Sequence, residues 1–153
     1  MLPVLEDYLE RLGALHDQIK EAIEGLPAEA LDWTPGASMN SMAVLVVHLA
    51  GAQRYWIGEV VGGLPSGRDR AAEFEVSGLD PVALKARLDE VLAHSRGVLE
   101  PLTLEGLSAP RLSPRDGHEV RVAWALAHAL QHTALHLGHI QITRQLWDAS
   151  RAC

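Results

Sequence analysis

Apolar residues recur every three or four positions from Val4 through Leu5, Tyr8, Leu12, Leu15, Ile19 and Ile23, which predicts a first amphipathic helix. Gly25, Pro27, Pro35 and Gly36 interrupt the pattern and predict a connection with room for one short turn. From Met42 the chain is almost wholly apolar, so a second helix, capped by Asn40 or Ser41 and running to Gly62-Gly63, is expected at the centre of the fold. A polar, glycine-containing stretch comes next. Asp80-Pro81 then opens a third helix, a cap residue with proline in the first turn, and Glu100-Pro101 closes it. Between Thr103 and Glu119 the dipeptide Asp116-Gly117 can close a small hairpin. A last helix is expected over about Val122 to Asp148.

Four long helices without sustained alternation predict an all-α fold, an antiparallel four-helix bundle in one domain spanning residues 1–153. The segments Met42–Ala52 and Val122–Thr143 contain no Asp, Glu, Lys or Arg and need testing as membrane spans. The first is shorter than the ~18 residues a span requires. The second carries His128, Gln131, His132, His136, His139 and Gln141, which are costly in lipid. Both therefore read as core helices of a soluble protein, with no membrane partner.

Charge removes another class. Twenty acidic against thirteen basic side chains give a net charge of −7, and no Lys/Arg cluster offers a footprint for nucleic acid. The acidic start of the chain does not read as a secretion signal, and the single cysteine, Cys153, cannot close an internal disulfide. A cytoplasmic location is expected.

The chemistry concentrates in histidines. His128, His132, His136 and His139 are spaced four, four and three apart, advancing by about +40°, +40° and −60° around a helix, so all four share one face. Imidazoles four apart can converge on one ion. His48 is the one polar side chain in the run Met42–Ala52 and needs a partner. A lone buried histidine is usually satisfied by a carbonyl or hydroxyl; four on one face shift the balance towards a metal. A pH-sensing cluster is the remaining alternative. In His132-Thr133-Ala134-Leu135-His136, threonine stands where a zinc protease needs glutamate, so protease chemistry lacks its general base.

These segments, Asn40 to Leu49 on the second helix and His128 to Arg144 on the fourth, resemble the DinB-like superfamily over nearly the whole chain. The resemblance implies a four-helix bundle with metal ligands His48, His132 and His136. It is also similar to the branch containing mycothiol-dependent maleylpyruvate isomerase, where the middle ligand is usually glutamate. His132 there moves the site towards the all-histidine pattern of bacillithiol transferases. The family often has arginine after the last ligand, where this chain has Leu137.

The activity implied by the resemblance is that of a metalloenzyme. It would use a divalent ion, zinc favoured and nickel or iron as alternatives, to present a low-molecular-weight thiol such as bacillithiol or mycothiol to a small electrophile. Two other readings stay open. One is a metal-dependent hydrolase with His139 as the catalytic proton acceptor. The other is a non-catalytic, metal-stabilised binding or stress-response module. His128 and Tyr55 are expected beside the site or lining a pocket; Glu59 shares the Tyr55 face, and the four tryptophans read as packing residues. The apolar first helix is compatible with a homodimer.

Overall fold

The computed structural model describes residues 1–152; Cys153 lies outside the described residues. Four long helical segments form the body: α1 (Pro3–Ile23), α3 (Met42–Gln53), α5 (Pro81–Leu99) and α6 (Val122–Arg151). Two short helices, α2 (Ala28–Asp32) and α4 (Arg70–Glu73), sit in the connections, and strands β1 (Pro110–Leu112) and β2 (Glu119–Arg121) pair antiparallel. The helix α1 packs on α5 and α6, and α3 packs on the same two. The chain thus makes a four-helix bundle in which consecutive helices α1 and α3 stand on opposite sides of α5 and α6.

Local chemistry sets the boundaries. Ser41 is the cap of α3, its hydroxyl accepting from the Val44 N–H at 3.2 Å, and Asp80 caps α5 by accepting from the Ala83 N–H at 2.8 Å. The hairpin turn contains Asp116-Gly117 as expected, with Gly117 at φ 69, a backbone conformation that glycine adopts without steric cost.

Three features depart from the sequence reading. The second helix does not continue as an α-helix to Gly62: from Arg54 to Val61 it widens into a π-helical segment, a form concentrated at functional sites. The polar stretch after it contains α4, capped by Asp69 accepting from Ala72 N–H at 3.0 Å. The fourth helix is not buried all round. It hides a stripe through Ala125, Ala129, Thr133, Leu137 and Ile140, and leaves Leu135, Ile142 and Leu146 exposed.

Helix α3 behaves as its composition demands, with every residue from Met42 to Gln53 buried except Gly51. It supplies much of the core, with Leu45, Val46 and Leu49 packed against Ile19, Ile23, Leu84 and Ile140. At about 1.5–3 kcal/mol per fully buried aliphatic side chain, this helix is the one least able to shift. Among the described residues no helix is long and apolar enough to cross a membrane.

Candidate metal centre

His48 projects from the buried α3 towards α6, where His132 and His136 stand one turn apart. One nitrogen from each of the three rings lies within 4.8 Å of the other two. The His132 and His136 Nε2 atoms are 3.2 Å apart. Two zinc–nitrogen bonds of 2.0–2.1 Å at a tetrahedral angle would place their donors about 3.3 Å apart, so this pair fits an ion without rearrangement. Two of the three donors are also in the protonation state that ligates. Burial, reinforced by the imidazoles of His136, His48 and His128 and by Arg68, pushes His132 down to about 3. Burial, with His48 and His139, pushes His136 down to about 4. Both rings are therefore neutral at pH 7, and a neutral imidazole is the form that ligates.

The far side of His48 is organised by residues that the sequence reading did not single out. Glu73, on α4, takes a hydrogen bond from His48 Nδ1 at 2.9 Å, which turns Nε2 towards the other two histidines. Arg68 grips the same carboxylate with two parallel bonds, Nε to Oε1 at 2.5 Å and Nη2 to Oε2 at 2.8 Å. Burial works to raise the Glu73 carboxyl, but its bonds to Arg68 and His48 and their charges hold it below the ordinary carboxylate range. The buried Glu73 reaches His48 across the surface of α3 at Gly51, where any Cβ would collide with its carboxylate. The glycine inside an otherwise apolar helix is thus the gap through which the site is braced.

The remaining candidates surround this centre. His139 is exposed, and its Nδ1 lies 3.3 Å from the His136 Nδ1, so it contacts the face of His136 opposite the shared Nε2 pair. His128 stacks on Trp124, centroids 5.1 Å apart and planes within 9°, with Trp56 edge-on at 4.7 Å. These rings form an aromatic wall one turn from His132. Tyr55 is buried, its hydroxyl 2.8 Å from Ser113 Oγ and accepting the Arg115 N–H at 3.2 Å, and it lines a pocket of about 350 Å³ together with Glu59. Trp33 and Trp147 meet edge to face at the other end of the bundle and are packing residues.

Known proteins place this geometry in context. The model of the mycothiol-S-transferase family matches residues 4–149. No curated protein matches the chain by sequence. Among solved structures, a conserved protein from Enterococcus faecalis superimposes with a TM-score of 0.76 at 18% identity, over 97% of this chain and 99% of that one. YfiT from Bacillus subtilis, described as a probable metal-dependent hydrolase with an unusual four-helix bundle topology, gives 0.75 at 19% identity over 92% of this chain and 85% of its own. A mycothiol-dependent maleylpyruvate isomerase gives 0.64 at 16% identity, over 89% of this chain and 60% of that one. At such identities the structures speak for the shared fold, while the family model covers almost the entire sequence. The chain belongs to the mycothiol-S-transferase family, within the DinB-like superfamily.

Proposed function

We propose that this protein transfers a low-molecular-weight thiol, mycothiol foremost, to a small electrophile, using a divalent metal held by His48, His132 and His136. The observation that carries the reading is the convergence of three imidazole donors from two helices within 4.8 Å, two of them on rings held neutral. The family match supports the thiol. A divalent ion held by His48, His132 and His136 would keep its charge and would supply the Lewis acidity that holds a thiol as thiolate at neutral pH. Zinc is the ion the donor set favours, with nickel and iron as alternatives.

The chain's own residues have separable tasks in this scheme. Glu73 fixes the tautomer and orientation of His48, and Arg68 fixes Glu73. His139 holds the outer nitrogen of His136. The Trp56, Trp124 and His128 wall excludes water from one side. Sulfur would form the new C–S bond as the acceptor's leaving group departs with the electron pair of the bond it breaks, chloride in the case of monochlorobimane, and the thiol proton would go to solvent.

The test is metal-dependent consumption of mycothiol, bacillithiol, glutathione or coenzyme A with monochlorobimane, by zinc-loaded protein and by a His48→Ala variant. Turnover with at least one thiol, lost on chelation and in the variant, is expected. Turnover that survives chelation would remove the metal from the reaction.

Hydrolysis is the second reading, favoured by the contact between His139 and His136. There His139 serves as proton acceptor for water. A hydrolase rate unchanged by His139→Ala would exclude that role.

A further inference from the structure

We infer that the pocket beside the metal centre is a carboxylate-binding subsite, built by Arg70 and Arg115, and that one of the two co-substrates carries a carboxylate into it. The inference rests on the proposed thiol transfer and names a chemical feature of its substrates.

In a chain with an excess of acidic residues, three arginines meet around one cavity of about 350 Å³ floored by the ring of Tyr55. Arg68 and Arg115 come from different connections, and their guanidinium carbons lie 6.0 and 5.9 Å from the centre of that ring. Arg70 lies over Phe74, 5.1 Å from the ring centre, and Phe74 in turn packs on His48 with centroids 5.0 Å apart. The pocket is therefore one layer of side chains from the metal centre, and Arg68 belongs to both.

The charges are unequally engaged. Arg68 is committed to Glu73 through two bonds. The pocket's own carboxylate, Glu59, is occupied by Ser66, accepting from its backbone N–H at 3.1 Å and from its hydroxyl. Asp116 accepts from the His118 N–H at 3.1 Å and stands 3.7 Å from Arg115 Nη2, on the exposed side. Arg70 has no carboxylate partner among the described residues. Arg70 and Arg115 thus line a concave, aromatic-floored space, Arg70 without a carboxylate and Arg115 with only its exposed ion pair to Asp116, and their planar forks match a carboxylate. Aromatic contact through Phe74 and Tyr55 limits their freedom, which reduces the entropy lost on binding.

A carboxylate anchored in this pocket would hold its own molecule near the open position of the metal and convert binding energy into orientation. With mycothiol, which carries no free carboxylate, the anchor belongs to the acceptor; with a carboxylated thiol such as glutathione the thiol itself can supply it.

Titration calorimetry with succinate and with uncharged succinamide tests the subsite on the full chain, zinc-loaded and zinc-free. Succinate alone is expected to bind in both forms, and Arg70→Gln or Arg115→Gln should weaken it about tenfold each, with zinc content unchanged. Binding that needs zinc and ignores both substitutions would mean that the carboxylate goes to the metal, and would overturn the inference. Steady-state assays then assign the source: glutathione against mycothiol, each with an acceptor bearing a carboxylate and with its amide. A KM raised in the variants only for the carboxylated thiol, or only for the carboxylated acceptor, identifies which co-substrate is anchored. A KM raised for neither overturns the subsite. Failure to bind zinc with normal succinate binding would instead count against the proposed metal chemistry, leaving the anion site standing.

Discussion

Two buried histidines in this bundle, His16 and His48, have similar burial and opposite surroundings. His16, on α1, is fully buried and its Nε2 lies 2.9 Å from the Gln53 side-chain oxygen; the Gln53 amide in turn donates to Ser95 Oγ at 2.9 Å and to the Val91 carbonyl at 3.3 Å. Its hydrogen-bond partner is a neutral amide, its Nδ1 has no partner among the described residues, and burial pushes its pKa down, so it is a neutral core residue. His48 faces a carboxylate on one side and two more imidazoles on the other. Burial alone does not separate a structural from a functional histidine. What separates them is whether the second ring nitrogen is aimed at further donors and whether a charged group holds it in that direction.

The largest break in that comparison is His48→Ala, which should remove bound metal altogether; elemental analysis of untagged protein checks this, and a full equivalent retained would refute the triad. His16→Ala should leave metal content intact while costing about 2–3 kcal/mol of stability, because Gln53 loses its partner and a cavity opens. Denaturant unfolding measures it. Glu73→Gln keeps a hydrogen-bonding group but not the charge, and should weaken metal binding about 10–100-fold, as should Gly51→Ala by displacing Glu73. Competition with a chromophoric chelator reads both.

A smaller effect appears in pH. His132 and His136 titrate at about 3 and about 4 in the fold, against about 6.5 when unfolded. As the pH falls through about 6.5 and on to about 3 the unfolded chain binds more protons than the native one, so stability of the metal-free protein should fall through that window, and the slope from these two rings fades as the pH rises above about 6.5. Thermal melts in chelator across that range test the sign. The smallest effect is expected from His139→Ala, a few-fold loss of metal affinity, since His139 is exposed and touches only the outer face of His136.

Much of the site was legible because its helices are so poor in charge. Histidines in apolar runs stand out, and a spacing of four puts them on one face whatever the tertiary structure. The hairpin was equally readable from Asp116-Gly117. Glu73 was hidden because it lies 25 positions after His48, in a stretch whose polarity signals a loop and conceals the single turn of α4. Gly51 was hidden because a missing side chain leaves no mark on an apolar pattern. His16 occupies a core position between Leu12 and Ile19, but a search for apolar periodicity passes over a polar residue, here one whose Nε2 meets Gln53. Val4, counted with the apolar stripe of α1, points outwards and is 54% exposed.

The π-helical segment separates two parts of the machinery that share one continuous helix. The rings that could hold the ion hang from α3 and α6, while Tyr55 and Glu59, which face the arginine-lined pocket, hang from the wider coil beyond Gln53. Removing one residue between Arg54 and Val61 would tighten that coil and turn the pocket wall without disturbing His48 upstream. The coil beyond Gln53 can therefore be reshaped by a change of one residue while the three histidines keep their places.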